Sequence, residues 1–345
     1  MSAAAPSLLA PPESYRSLRI LIIYLSVCAG VAGVLCLRIY RQYKIRRYQL
    51  SWRAAYRNKF ALILAIAGVD LYATWYHMIA YFVHSYRSWE LRHNDAQRVA
   101  IATEPFLSRC ELWLRDTSLF WESWESVSES AERSWWSGQI FLWTVGWSLF
   151  LGVMGRRYNC SHVWAYMLLG QIVAISFAQN LFAATLLVST PLQQQKQQNP
   201  QSWSPPLVLE VAPLVVSLLS AVIVPYVVNT PYFLPVLMVP HVLLFVPGLL
   251  SPRILPRGLG SITRETKIYG KVFKYITVVA MIMLVRSTYQ ASLSTDNIFA
   301  LPKRLLDVMH EHPAVSSVSW DVVFCYVNAA VWIGLHGGVT NALEV

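Results

Sequence analysis

Apolar runs of about twenty residues recur along this 345-residue chain, each long enough to cross a bilayer as a helix. Hydrocarbon offers the backbone no hydrogen-bond partner, so such a run must satisfy its own amides, and uninterrupted runs of this length do so as helices. Eight runs separate cleanly, at 18–38, 60–84, 138–154, 163–189, 207–228, 232–250, 272–289 and 318–336. The expected fold class is all-α, a polytopic transmembrane helical bundle of eight or nine spans. Residues 1–345 read as a single integral membrane domain. Its polar Gln/Pro linker, 191–206, divides an N-terminal helix group (18–189) from a C-terminal one (207–336). Only 13% of residues are charged, about half the share of a soluble domain.

Charge gives the orientation. Arg38, Arg41, Lys44, Arg46, Arg47, Arg53, Arg57 and Lys59 lie between the first two runs with no acid among them. By the positive-inside rule this loop is cytosolic and the N-terminus lumenal. A second basic segment, Arg253, Arg257, Arg264, Lys267, Lys271 and Lys274, falls on the wrong side if there are eight spans. A ninth crossing or re-entrant segment at 106–127 would correct it, at the cost of moving Arg156 and Arg157 to the lumen. The net charge of +10 fits attraction to anionic lipid, and no aromatic-basic motif points to nucleic acid. The first run is long enough to span and is followed by positive charge, which fits an uncleaved anchor. The five cysteines, Cys28, Cys36, Cys110, Cys160 and Cys325, are scattered and form no CxxC pair, so neither a disulfide framework nor a zinc site is expected. Asn159-Cys-Ser161 is a glycosylation sequon set close to the membrane.

Ionisable groups inside the runs are the candidates for function, because hydrocarbon penalises them by several kcal/mol, roughly 3 on insertion scales. Asp70, Thr74, His77, Tyr81 and His84 step by four, three, four and three residues, which places all five on one helix face. A plainer reading leaves Tyr81 and His84 at the interface and engages Asp70 and His77 in an interhelical hydrogen bond. His77 and His84 stand about 10 Å apart along a helix, too far to share a metal ion. In Asp116-Thr-Ser-Leu-Phe-Trp-Glu122-Ser-Trp-Glu125, Glu122, Glu125, Glu129 and Glu132 share one face, with Trp121, Trp124 and Trp135 beside it. The plain alternative is an amphipathic surface helix. A carboxyl sequestered in an apolar site can instead stay protonated and serve as a general acid. Gly170, Ala174 and Ala178 form a small-residue ridge, flanked by Ser176, Gln179 and Asn180. Asp321, Cys325, Asn328 and Trp332 repeat the helical step in the last run, with Asp321 near its end. Glu210 and His241 read as structural polar groups. No Walker loop, GxSxG elbow, HExxH, haem or flavin motif occurs, so no cofactor is expected.

Two segments carry a resemblance. DTSLFWESW at 116–124 and WAYMLLGQIVAISFAQNLF at 164–182 resemble fungal membrane-integrated, non-class-I terpene cyclases of meroterpenoid and indole-diterpene pathways, of the ascofuranone type. The likeness covers roughly 110–190, and Glu122 falls in its Trp-Glu-x-Trp position. It implies acid-initiated, metal-independent cyclisation of an epoxidised prenyl chain on an aromatic or indole head, in the endoplasmic reticulum membrane. The expected partners are that lipophilic substrate and membrane lipid. Glu122 and Asp70 are the expected proton donors, with His77, Asp116 and Glu125 as further catalytic candidates. Trp121, Trp124, Tyr81, Gln179, Asn180 and Asp321 are the candidates for substrate binding. The alternative function is a transporter or channel in which Asp70 and His77 relay protons or a cation, although no clear inverted repeat accompanies it.

Overall fold

The computed structural model describes residues 15–48, 54–189, 205–250, 262–295 and 297–338; the linker positions 190–204, with Arg253 and Arg257, lie outside them. Every regular element among the described residues is helical. The elements are α1 (Arg16–Arg46), α2 (Ala54–Leu91), α3 (Asp95–Thr103), α4 (Phe106–Asp116), α5 (Leu119–Ser126), α6 (Ala131–Arg157), α7 (Val163–Ile172) and α8 (Ile175–Val188). They continue with α9 (Leu207–Val227), α10 (Phe233–Leu243), α11 (Val246–Leu249) and α12 (Ile262–Ser292). A short 3-10 turn, Ile298–Ala300, then precedes α13 (Leu301–Glu311) and α14 (Pro313–His336).

Six described helices, α1, α2, α6, α9, α12 and α14, are long and apolar enough to cross a membrane. The expected eight or nine spans are therefore not all present as such. The run 163–189 is not one span. Val173 and Ala174 leave helical geometry, Ala174 being fully extended (φ −169, ψ 139). The chain doubles back there, so that Tyr166 on α7 meets Thr185 on α8 (2.6 Å) and Cys160 lies beside Ser189. The pair is a hairpin that enters and leaves at one end of the bundle. Its tip is tied to the N-terminal third of α1, where the Tyr24 hydroxyl donates to the Ile172 carbonyl (2.6 Å). The expected Gly170/Ala174/Ala178 ridge is corrected accordingly, since the three residues fall on two helices and the turn between them. Gly170 instead admits the Trp147 ring, which a Cβ there would meet at 3.0 Å.

The run 232–250 is bent rather than straight, and the surrounding helices satisfy the carbonyls that the bend frees. Pro240 cannot donate to the Val236 carbonyl, and Ser220 of α9 does so in its place (2.5 Å). At the α10–α11 junction, Ser148 of α6 donates to the Leu244 carbonyl (2.6 Å). Gly152 makes room for this corner, because a Cβ there would lie 2.8 Å from the Pro247 carbonyl oxygen.

Helix directions follow from the contacts at the two ends. At one end Arg46 donates to the Val188 carbonyl (3.0 Å), Lys59 to Leu335, and Arg156 to Glu210 (2.7 Å). At the other, the amides of Ser17 and Leu18 bond Glu111 of α4 (3.0 and 2.7 Å), and Trp135 donates to Thr288 (2.8 Å). The stretch 106–127 is thus α4 and α5, short helices held at that second end, and it is not a ninth crossing. Because the α7–α8 hairpin returns to its own side, α12 starts at the same end as the α1–α2 connection. Lys271 and Lys274 therefore share an end with Arg41, Lys44, Arg156 and Arg157, and the charge conflict disappears without an extra span. The Asn159 sequon, in a left-handed turn (φ 49), sits at this basic end as well.

This arrangement predicts the outcome of thiol labelling across sealed membranes. In a background without native cysteines, Arg41→Cys and Lys271→Cys should react from the same side, and Asp95→Cys from the opposite one. Lys271→Cys reacting with Asp95→Cys would contradict the hairpin.

Candidate functional site

Helix α6 runs through the centre of the bundle, and its partners leave a cavity of about 350 Å³ on one flank. Its walls are Trp143, Trp147 and Phe150 of α6, Phe273 of α12, and Tyr326 and Trp332 of α14. The size falls within the range of small-molecule sites. Polarity is confined to a few groups. Trp143 donates its indole N–H to Gln179 (3.2 Å) and packs edge-on against Tyr326 (4.9 Å). Tyr326 in turn donates to Gln139 (3.3 Å). Toward the basic end the lining becomes Ile63, Phe150, Phe273 and Trp332, without a charged group. The cavity is therefore shaped for an amphiphile.

Asn180 of α8 and Asn328 of α14 form part of the wall, and Asp70 of α2 stands directly behind them, fully buried. Both amide nitrogens donate to the same oxygen, Asp70 Oδ2 (2.8 and 2.9 Å). Asn328 spends its second N–H on the Ser176 carbonyl (3.1 Å). Asp70 Oδ1, Asn328 Oδ1 and Ser176 Oγ are all buried and accept nothing, as is the donor Trp147 Nε1 on the cavity wall. No arginine, lysine or histidine pairs with Asp70 among the described residues. A carboxylic acid in its neutral form has one oxygen that only accepts and one that carries a proton. With two amide donors on Oδ2, a proton carried by this carboxyl would sit on Oδ1.

The hairpin tip organises this site. Asp321 accepts the backbone N–H groups of Ile175 and Ser176 (3.0 and 2.8 Å), a carboxylate capping the positive end of α8. It is half-buried and holds α8 at the height where Asn180 meets Asp70. Thr74, one turn along α2, turns its hydroxyl onto the Asp70 carbonyl (2.8 Å).

The other expected site residues lie elsewhere. Tyr81 is buried, and its hydroxyl donates to Leu119 of α5 (2.9 Å). It is eleven residues from Asp70, about 16 Å along the helix. Glu122 belongs to that level and accepts the Ser118 N–H (3.0 Å) at the start of its own helix. Glu125 is half-buried on α5. Trp121 packs edge-on to Phe233 (5.1 Å), and Trp124 stacks on Phe141 (5.2 Å) and meets His241 (5.4 Å). These rings form an apolar cluster against α10, apart from the cavity. Asp116 is exposed and bonds Trp89 (3.2 Å) and Arg115 (3.0 Å). His77 is half-buried one turn short of Tyr81. The structure thus brings Gln179 and Asn180 into the cavity wall, with Asp70 behind Asn180 and Asp321 on the α8 N-terminus, and sets Glu122, Glu125, Asp116, Trp121, Trp124 and Tyr81 at a second level. Beside that level His312 caps α14, its Nδ1 accepting from Ala314 N (3.2 Å). Burial, with His84 and Arg133 nearby, pushes its pKa down to about 4.

Asn328 was visible in the helical stripe of the last run but carries no charge to mark it. Trp332 belongs to the same stripe, whereas Trp143 and Trp147 gave no signal, since tryptophan in a membrane helix reads equally as an interfacial anchor. No family model, curated protein or solved structure matches this chain.

Proposed function

We propose that this chain is an intramembrane terpene cyclase that closes rings on an epoxidised prenyl chain borne by an aromatic or indole head, in fungal meroterpenoid biosynthesis. The observation that carries the reading is a fully buried acid, Asp70, set behind two wall amides of an aromatic cavity, with one oxygen accepting both amides and the other accepting nothing. The sequence likeness at 116–124 and 164–182 supports it. So does the lining, because a lipophilic chain partitions into such a space by the hydrophobic effect.

In this reading the epoxide end of the substrate enters between Asn180 and Asn328 to reach Asp70 behind them, and the Oδ1 proton passes to the epoxide oxygen. The bond from that oxygen to the more substituted carbon breaks, its electron pair staying on oxygen, and a tertiary cation forms. The faces of Trp143, Trp147 and Trp332 stabilise the cation. An alkene or hydroxyl of the same substrate donates the pair that closes the ring. The final proton returns to the Asp70 carboxylate, so product and substrate have equal mass. Exclusion of water keeps the cation from being hydrated. Asn180 and Asn328 position the acid, and Asp321 positions Asn180 through α8. The basic end faces the cytosol of the endoplasmic reticulum by the positive-inside rule, which leaves Asn159 unglycosylated.

A second reading rests on the α7–α8 hairpin, because helices broken near mid-bilayer also build transporter sites. Two features favour the cyclase. The α8 N-terminus, the natural seat for an anionic substrate, is filled by Asp321, and the cavity wall is overwhelmingly apolar. The deciding experiment supplies epoxyfarnesyl phenols and indoles to yeast microsomes carrying the chain. A new cyclised isomer of unchanged mass is expected, and none across several heads would overturn the proposal.

A further inference from the structure

A second hollow lies on the outside of the bundle, at its basic end. Helices α1 and α2 are consecutive, yet α1 packs on α4, α7 and α8, and α2 on α8 and α14, rather than on each other. They meet where Tyr43 stacks on Phe60 (4.9 Å, 8°). Beside this contact they part around a groove of about 390 Å³, floored by Leu181 of α8 and walled by Cys36, Tyr40, Phe60 and Leu64. Tyr40, Cys36 and Leu64 are exposed on its outer side, and so is Arg57, the charged member of the lining.

The charges near this groove are one-sided. Residues 38–59 contain no acid. Several of their cations are engaged within the chain, Arg38 with His162 (2.7 Å), Arg46 with Val188 and Lys59 with Leu335. Among the described residues no carboxylate pairs with Arg57, while Arg41 and Lys44 are exposed nearby on α1. An apolar slot about two helical turns deep, with tyrosines at its mouth and an uncompensated guanidinium on its rim, matches a lipid in both parts. Hydrocarbon covers the Phe60, Leu64 and Leu181 surface, and an anionic headgroup answers Arg57.

We propose that the α1–α2 groove binds an anionic phospholipid, one acyl chain lying in the slot and the headgroup on Arg57. The site is separate from the cavity beside α6, because α2 and α8 stand between them, and it does not depend on the cyclase reading. A juxtamembrane basic residue contributes about 1 kcal/mol toward anionic lipid, equivalent to about a five-fold preference.

Cys36 offers a native probe. With the other four cysteines replaced, its alkylation by a membrane-permeant maleimide is followed in vesicles of phosphatidylcholine alone and with phosphatidylserine. Val34→Cys, exposed on another face of α1, in a Cys36→Ser background reports the general effect of surface charge on the reagent. Phosphatidylserine should slow Cys36 about five-fold more than the control position. Arg57→Gln should remove the difference and Arg57→Lys should keep most of it. Equal slowing at both positions, or a difference that survives Arg57→Gln, would overturn the proposal and leave the groove filled by lipid without regard to headgroup.

Discussion

Asp70→Asn should lower cyclisation of an epoxyprenyl substrate by about 10²- to 10⁴-fold, the usual contribution of a positioned general acid. The substitution keeps size and shape but replaces an acid that gives up a proton with an amide that does not. Asn180 and Asn328 donate to Oδ2 (2.8 and 2.9 Å), and the side-chain oxygen of the new asparagine can accept both bonds. The fold should therefore survive, and the loss should fall on kcat with KM little changed. Glu122→Gln should keep turnover within a few-fold, because Glu122 caps its own helix at the Tyr81 level rather than facing the cavity. If the two variants exchanged these outcomes, the acid would sit at the α5 level and the cavity beside α6 would lose its role.

Arg156→Met should cause the largest loss of stability of any single polar substitution, about 3–5 kcal/mol. Glu210 is completely buried among α6, α9 and α12 and is met by Arg156 (2.7 Å) and by the Tyr269 hydroxyl. Arg156 also reaches Tyr269 (3.1 Å). Removing the cation strands a carboxylate in the bundle, whereas removing both charges does not. Arg156→Met combined with Glu210→Leu should thus recover most of the loss in thermal unfolding of the detergent-solubilised protein. Tyr269→Phe should cost about 1–2 kcal/mol, the range for one hydrogen bond to a charged group that keeps its other partner. A double variant no better than the single one would assign the effect to packing of the arginine stem instead.

Much of the architecture was legible as runs of apolar residues, since hydrocarbon leaves the backbone so little choice. The six long helices lie within or around the expected runs, and the stripe from Asp70 to His84 does occupy one face of α2. What misled was length without direction. The run 163–189 has the composition of a span, but nothing in it resembles a turn signal. The break at Val173–Ala174 is created by partners distant in sequence, Asp321 on the amides of Ile175 and Ser176 and Tyr24 on the Ile172 carbonyl. The misplaced basic segment at 253–274 was the visible trace of that hairpin, although it suggested an extra crossing at 106–127. At the site, burial of Asp70 could be anticipated from its cost in lipid. Its pairing with Asn180 and Asn328 joins positions 110 and 258 residues away, which no local pattern encodes. Glu122 drew attention for the tryptophans around it, yet those rings pack on Phe141 and Phe233 rather than around a hollow.

The central proposal, that a buried acid opens an epoxide in the aromatic cavity beside α6 without capture by water, is tested most directly by turnover in heavy-oxygen water. Microsomes carrying the chain are supplied with an epoxyfarnesyl phenol, and the products are weighed by mass spectrometry. A cyclised isomer of unchanged mass that carries no solvent oxygen is predicted. A diol bearing one solvent oxygen, or no conversion at all, would contradict it.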